Sequence, residues 1–183
     1  VTKAAALENA VRSGMDVSLE FALESVIPSA DPEKARAIIS AFCSRKLCDA
    51  DVDRILGYAC NNPNPQTAAA MLDCLVQSGQ YAVIPSKLLI GVLSRKELDA
   101  DGKLTILQKL LQLRTDTKAI EGALNNYLCF NSDSPQTRVR ILPVLLEQVR
   151  TLDKKRLRER MGHVGISSRI SGIIPSGCSL TRD

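Results

Sequence analysis

The chain has no tryptophan, three tyrosines and three phenylalanines in 183 residues. So thin an aromatic supply is poor material for base-stacking platforms or an aromatic ligand pocket. There is one histidine, His163, and any Ser-His-Asp or Cys-His set would have to use it. Neither a GxSxG elbow nor a catalytic-cysteine signature accompanies it, so an exposed, non-catalytic role is expected. None of the six cysteines (Cys43, Cys48, Cys60, Cys74, Cys129, Cys178) forms a CxxC pair, and a lone histidine cannot complete a usual Cys/His metal set. No apolar run approaches the roughly 20 residues that cross a bilayer. No signal-peptide pattern is present.

Other familiar chemistry is missing too. The Gly-Lys of ADGKLT at 100–105 fails the GxxxxGK[ST] spacing, and no strand precedes it. The acidic turns Asp49–Asp51–Asp53 and Asp99–Asp101 lack the twelve-residue calcium-loop pattern, and helix capping accounts for them. The expectation is a non-enzyme with no cofactor, no metal and no small-molecule ligand. Cys60, Cys74 and Cys129 fall on or beside apolar helical faces, where a free thiol acts as a small hydrophobe. A reducing compartment follows: intracellular, cytoplasmic or nuclear, with a mitochondrial or other organellar site as the alternative.

What the chain does have is repetition. Residues 61–79, NNPNPQTAAAMLDCLVQSG, carry a cap in Asn64, a first-turn Pro65 and a stop in Gly79. Ala68, Met71, Leu72 and Leu75 form one apolar helical face. SPQT at 134–137 and DPEK at 31–34 open helices in the same way. Adjacent apolar pairs mark each helix centre. One series runs Ala22–Leu23, Ile55–Leu56, Leu88–Leu89, Ala123–Leu124, with steps of 33, 33 and 35 residues. The other runs Ile38–Ile39, Met71–Leu72, Ile106–Leu107, Ile141–Leu142, with steps of 33, 35 and 35. Three residues after each pair comes another apolar side chain: Val26, Ala59, Val92 and Tyr127, then Phe42, Leu75, Leu110 and Leu145.

The two series interleave, which predicts helices over 3–13, 17–27, 32–44, 50–60, 65–78, 85–95, 102–113, 117–129, 135–150 and 153–161. Pro143 should kink or interrupt its helix, and Gly91 should mark a close helix–helix approach. Residues 162–183 hold four glycines and five serines and lose the helical period. The division expected is a helical repeat domain over 1–161 and a Gly/Ser-rich tail over 162–183, to which Ile170, Ile173 and Ile174 lend some apolar grip.

Two helices per 33–35 residues predict an all-α α-solenoid, a right-handed superhelix of four to five antiparallel helix pairs. Ankyrin and tetratricopeptide motifs are absent, and the internal pattern of pentatricopeptide repeats is not found. NPNPQTAAAMLDCL at 62–75, SADPEKARAIISAF at 29–42 and SDSPQTRVRILPVL at 132–145 resemble the turn and second helix of HEAT and armadillo-like repeats. The resemblance covers roughly 15–161 and implies architecture, with protein–protein interaction as the usual use.

Charge is the one uneven feature. Residues 138–160 hold eight cations (Arg138, Arg140, Arg150, Lys154, Lys155, Arg156, Arg158, Arg160) and three acids, eight minus three or +5, whereas 1–137 carry 14 cations and 16 acids, or −2. The basic run reads either as the polar end of a repeat array or as a footprint for RNA phosphates or an acidic protein surface. The function expected is a scaffold or adaptor that binds protein partners within a larger assembly. The alternative is an RNA-associated subunit of a ribonucleoprotein complex that contacts phosphates through those eight residues.

Overall fold

The structure, a computed structural model, describes residues 3–80, 83–113, 115–130 and 133–167, and only the backbone of 130 and 156–167. Nine α-helices lie among the described residues: α1 (Lys3–Arg12), α2 (Leu19–Phe21), α3 (Pro32–Cys43), α4 (Asp49–Asn61), α5 (Pro65–Ser78), α6 (Ser86–Ser94), α7 (Ala100–Gln112), α8 (Thr117–Phe130) and α9 (Pro135–Ser167). No strand occurs among them; a single parallel bridge joins Ile84 and Thr115. No helix of the described residues is long and apolar enough to cross a membrane.

Short polar residues open most helices by the same device. A side-chain oxygen one residue before the helix accepts an N–H of the first turn, which would otherwise have no partner. Asp31 accepts Lys34 N at 2.9 Å, Asn64 accepts Gln66 N at 2.9 Å, and Asp99 accepts Gly102 N at 2.7 Å. Asp116 accepts Ala119 N at 2.8 Å and Ser134 accepts Thr137 N at 3.2 Å. Pro32, Pro65 and Pro135 follow their caps in the first turn, where no N–H is needed. Gly79 ends α5 at φ 65°, a conformation that costs glycine nothing.

The two apolar series become two layers. The odd helices stack in chain order, α1 on α3, α3 on α5, α5 on α7 and α7 on α9. In the even layer α4 packs on α6 and α6 on α8. Contacts of α4 with α5, α6 with α7 and α8 with α9 join the layers. One apolar cluster runs through the whole stack. All eight residues three places after the pairs are buried, as are the pairs themselves except half-buried Leu88, Leu124 and Leu142.

Several expectations are corrected. The second helix passes from α2 into a π-helical segment, Ala22–Val26, and a 3-10 turn, Ile27–Ser29. Pro28 is the reason: in a regular α-helix its ring would meet the carbonyl of Glu24, and the altered winding avoids that clash. Pro143 does not interrupt α9. The carbonyl it leaves unbonded belongs to Val139, which is 72% exposed, so water can serve it. The two helices expected over 135–150 and 153–161 are one, because nothing between Arg150 and Asp153 breaks a helix. The helix also continues past Gly162 to Ser167, since glycine costs a helix only about 1 kcal/mol. The remaining tail, 168–183, lies outside the described residues. Gly91 is exposed, and a methyl there would meet nothing within 4 Å. The close approach is at Gly102 instead, where a Cβ would sit 3.0 Å from Pro65 Cγ and 3.0 Å from Asp99 Oδ1.

Candidate functional site

Polar links stitch the odd layer from one helix end to the next. Arg45, two residues past the end of α3, donates to Val11 O at the end of α1 and, at 3.2 Å, to Met15 O. Gln80, two residues past α5, reaches back to the end of α3. Its amide donates to Cys43 O at 2.7 Å and Arg45 O at 3.0 Å, and its oxygen accepts Leu47 N at 2.6 Å. Gln148 of α9 donates to Leu111 O near the end of α7 at 3.3 Å. In the even layer Arg95, just after α6, donates to Cys60 O and Asn62 O at 2.9 and 2.8 Å. Each supplies a donor to terminal helix carbonyls that lack one within their own helix. Ion pairs add to the odd layer: Asp73 on α5 accepts Arg36 of α3 at 3.1 Å and Lys109 of α7 at 2.7 Å.

The most chemically concentrated point is a node around Lys103 on α7, whose side chain is 1% exposed. Its ammonium donates to Leu93 O at 2.9 Å and to both oxygens of Asp133 at 2.7 Å. The Tyr127 hydroxyl donates to Asp133 Oδ2 at 2.9 Å. Burial raises the Tyr127 phenol above its ordinary range, and the hydrogen bond to Asp133 and that carboxylate's charge add to the rise. The node joins the end of α6, the first turn of α7, α8 and the turn into α9. A buried ammonium with three acceptors is a fastening, closed to substrate. Sequence reasoning met Lys103 only as part of a failed phosphate loop and placed Asp133 in a turn.

Of the eight cations named from the sequence, the five whose side chains are described differ in their surroundings. Arg138 is half-buried, and its charge acts on Tyr127. Arg140 pairs with Asp101 of α7, with Nη1 at 3.2 Å from Oδ2. Arg150 lies 3.5 Å from Glu147 on its own helix. Lys154 and Lys155 are exposed. For Arg156, Arg158 and Arg160 the structure gives the helix but not the side chains. His163 is likewise known only by its helical backbone, and Cys178 lies outside the described residues.

Burial sets the thiols apart. It pushes Cys60 up to about 12 and Cys74 up to about 11, and it raises Cys43. Cys48 and Cys129 are exposed. Among the described residues no group of three or more His, Cys, Asp or Glu is placed to hold a metal ion.

Two depressions flank the segment from α2 to Val26. One, about 350 Å³, lies between it and α4; Glu20, Glu24, Arg54 and Tyr58 line it, and Gly57 leaves its floor open. Burial raises the Tyr58 phenol, and the Glu24 carboxylate adds to the effect. The other, about 590 Å³, lies between the same segment and α1 and is largely apolar.

Comparison with protein-family models, curated proteins and solved structures finds no match to this chain.

Proposed function

We propose that the protein is a non-enzymatic helical-repeat scaffold, an α-solenoid of HEAT or armadillo-like type with a 33–35-residue period and a right-handed sense. On this reading it binds protein partners along its helix layers within a larger intracellular assembly. The observation that carries the reading is the stacking of every odd helix on the next odd helix, with polar links between successive odd helices and the residues that follow them at sequence separations of 30, 33, 34, 35 and 37 residues. Stacks of this kind make each unit's surface continuous with its neighbour's, which suits extended partners. Affinity purification of the whole chain with crosslinking mass spectrometry tests it. The expected result is one reproducible protein partner crosslinked through lysines of a single layer, such as Lys87 and Lys118. Absence of any partner over a control chain overturns it.

The exposure of Lys154 and Lys155 beyond the packed part of α9 supports a second reading, RNA phosphate contact through the basic helix. It predicts RNA binding at low salt that weakens steeply as salt rises and is lost on neutralising Arg156, Arg158 and Arg160. Binding that survives those substitutions refutes it.

A further inference from the structure

We infer that the N-terminal end of this chain is the docking surface for the C-terminal arm of a second copy, so that the protein associates head to tail. Helix α1 and the α2 to Val26 segment enclose the 590 Å³ depression, lined by Lys3, Ala6, Leu7, Ala10, Phe21 and Val26. Phe21 is 54% exposed there, an uncommon position for so large an apolar side chain. The depression on the opposite flank carries Glu20 and Glu24. Neither carboxylate forms an ion pair among the described residues. One short segment therefore presents an apolar pocket on one side and, on the other, two carboxylates that share their depression with one cation, Arg54.

The opposite end of the chain has the complementary order. The last side chains of α9 packed on the core are Val149 and Leu152. The helix then runs 15 residues further, from 152 to 167, to Ser167, or about 22 Å at 1.5 Å per residue. Residues 150–160 hold six cations and two acids, six minus two or +4. Ile170, Ile173 and Ile174 follow, in the stretch outside the described residues. Residues 1–33 hold two cations (Lys3, Arg12) and six acids, two minus six or −4. A basic arm followed by isoleucines matches a carboxylate pair beside an apolar pocket in both charge and hydrophobicity. RNA would match only the basic half and leave Phe21 and its pocket uncovered. The contact joins unlike surfaces, so it closes into rings, the smallest a pair that exchanges arms reciprocally, or continues as open chains.

Sedimentation velocity on the whole chain tests this at about 50 mM and about 500 mM salt, conditions that leave and remove long-range attraction. The expected result is concentration-dependent species above the monomer at low salt that dissolve at high salt. The pair Glu20→Lys with Glu24→Lys, and separately Lys154→Glu with Lys155→Glu, each weaken association at least about tenfold through like-charge contact. Mixing the two double variants restores it, since the unaltered basic arm of one then meets the unaltered carboxylates of the other. All four positions are exposed, and circular dichroism verifies that the variants remain folded. Phe21→Ser weakens association without removing its salt dependence. A wild-type chain that stays monomeric at low salt, or a mixture that fails to restore association, overturns the inference. So does a monomeric chain that binds duplex or single-stranded RNA through Lys154 and Lys155. The scaffold reading survives such a failure, because it is judged by capture of a different protein.

Discussion

Replacing Lys103 with Met removes one charge from the most enclosed polar site in the fold. The methionine keeps the length of the stem and its packing, but three acceptor contacts disappear: one to Leu93 O at 2.9 Å and two to Asp133 at 2.7 Å. Asp133, whose side chain is 14% exposed, loses the Lys103 charge while remaining mostly shielded from water. Removing one partner of a buried pair costs about 3–5 kcal/mol. For a chain of this size each kcal/mol lowers the melting temperature by about 2–4 °C, so a fall of about 6–20 °C is expected. Asp133→Asn should cost a similar amount, because it strands the ammonium. The double variant should cost less than the sum by at least about 1 kcal/mol, the signature of direct coupling. Urea denaturation and thermal melting of the four proteins supply the cycle. A single Lys103→Met loss below about 1 kcal/mol, or strict additivity, would refute the claim that this contact fastens α6, α7, α8 and the turn into α9.

The glycines give opposite expectations in the same assay. Gly91→Ala should stabilise by about 0.5–1 kcal/mol, as it fills open space on a helix. Gly102→Ala should destabilise by about 1–3 kcal/mol, because its methyl meets Pro65. Gln80→Ala removes three bonds between helix ends and should cost about 1–3 kcal/mol in urea denaturation; an unchanged midpoint would show the links to be idle. In the native chain a thiol reagent should modify Cys48 and Cys129 well ahead of Cys43, Cys60 and Cys74. The raised thiols also set a pH dependence. The unfolded chain gives up these protons above about 9, while the folded one holds them to about 11 at Cys74 and about 12 at Cys60. Stability should therefore be full below pH 9 and fall through that window, and Cys60→Ala should flatten the fall.

Helices and core were legible in the sequence because both rest on local periodicity. The pairs Ile38–Ile39, Ile55–Leu56 and Met71–Leu72 mark buried faces, and a cap such as Asn64 needs only its own next three residues. What escaped was whatever depends on two distant segments. Lys103 and Asp133 are 30 residues apart, and nothing in either neighbourhood announces the other. Gly91 and Gly102 look alike in the chain; only the position of Pro65 separates them. Gln80 and Arg45 carried a readable signal, since both stand two residues after a helix end and 35 residues apart. Polar residues at that place invite a surface assignment, and the apolar pairs drew the attention. The basic run was legible as composition, but not the acid partner of Arg140, because Asp101 lies on a neighbouring helix.

Where these links serve backbone carbonyls, the donor comes from later in the chain than the carbonyl. On a ribosome this gives each helix a waiting time. When α1 leaves the exit tunnel, the Val11 carbonyl near its end has only the Gly14 N–H, at 3.2 Å, until Arg45 emerges 34 residues later, and α3 then waits for Gln80. At about 5–20 residues per second each interval lasts roughly 2–7 s. The newest unit of a growing chain is thus always the least finished one. A stalled or truncated product ends on a helix whose carbonyls lack their downstream donors.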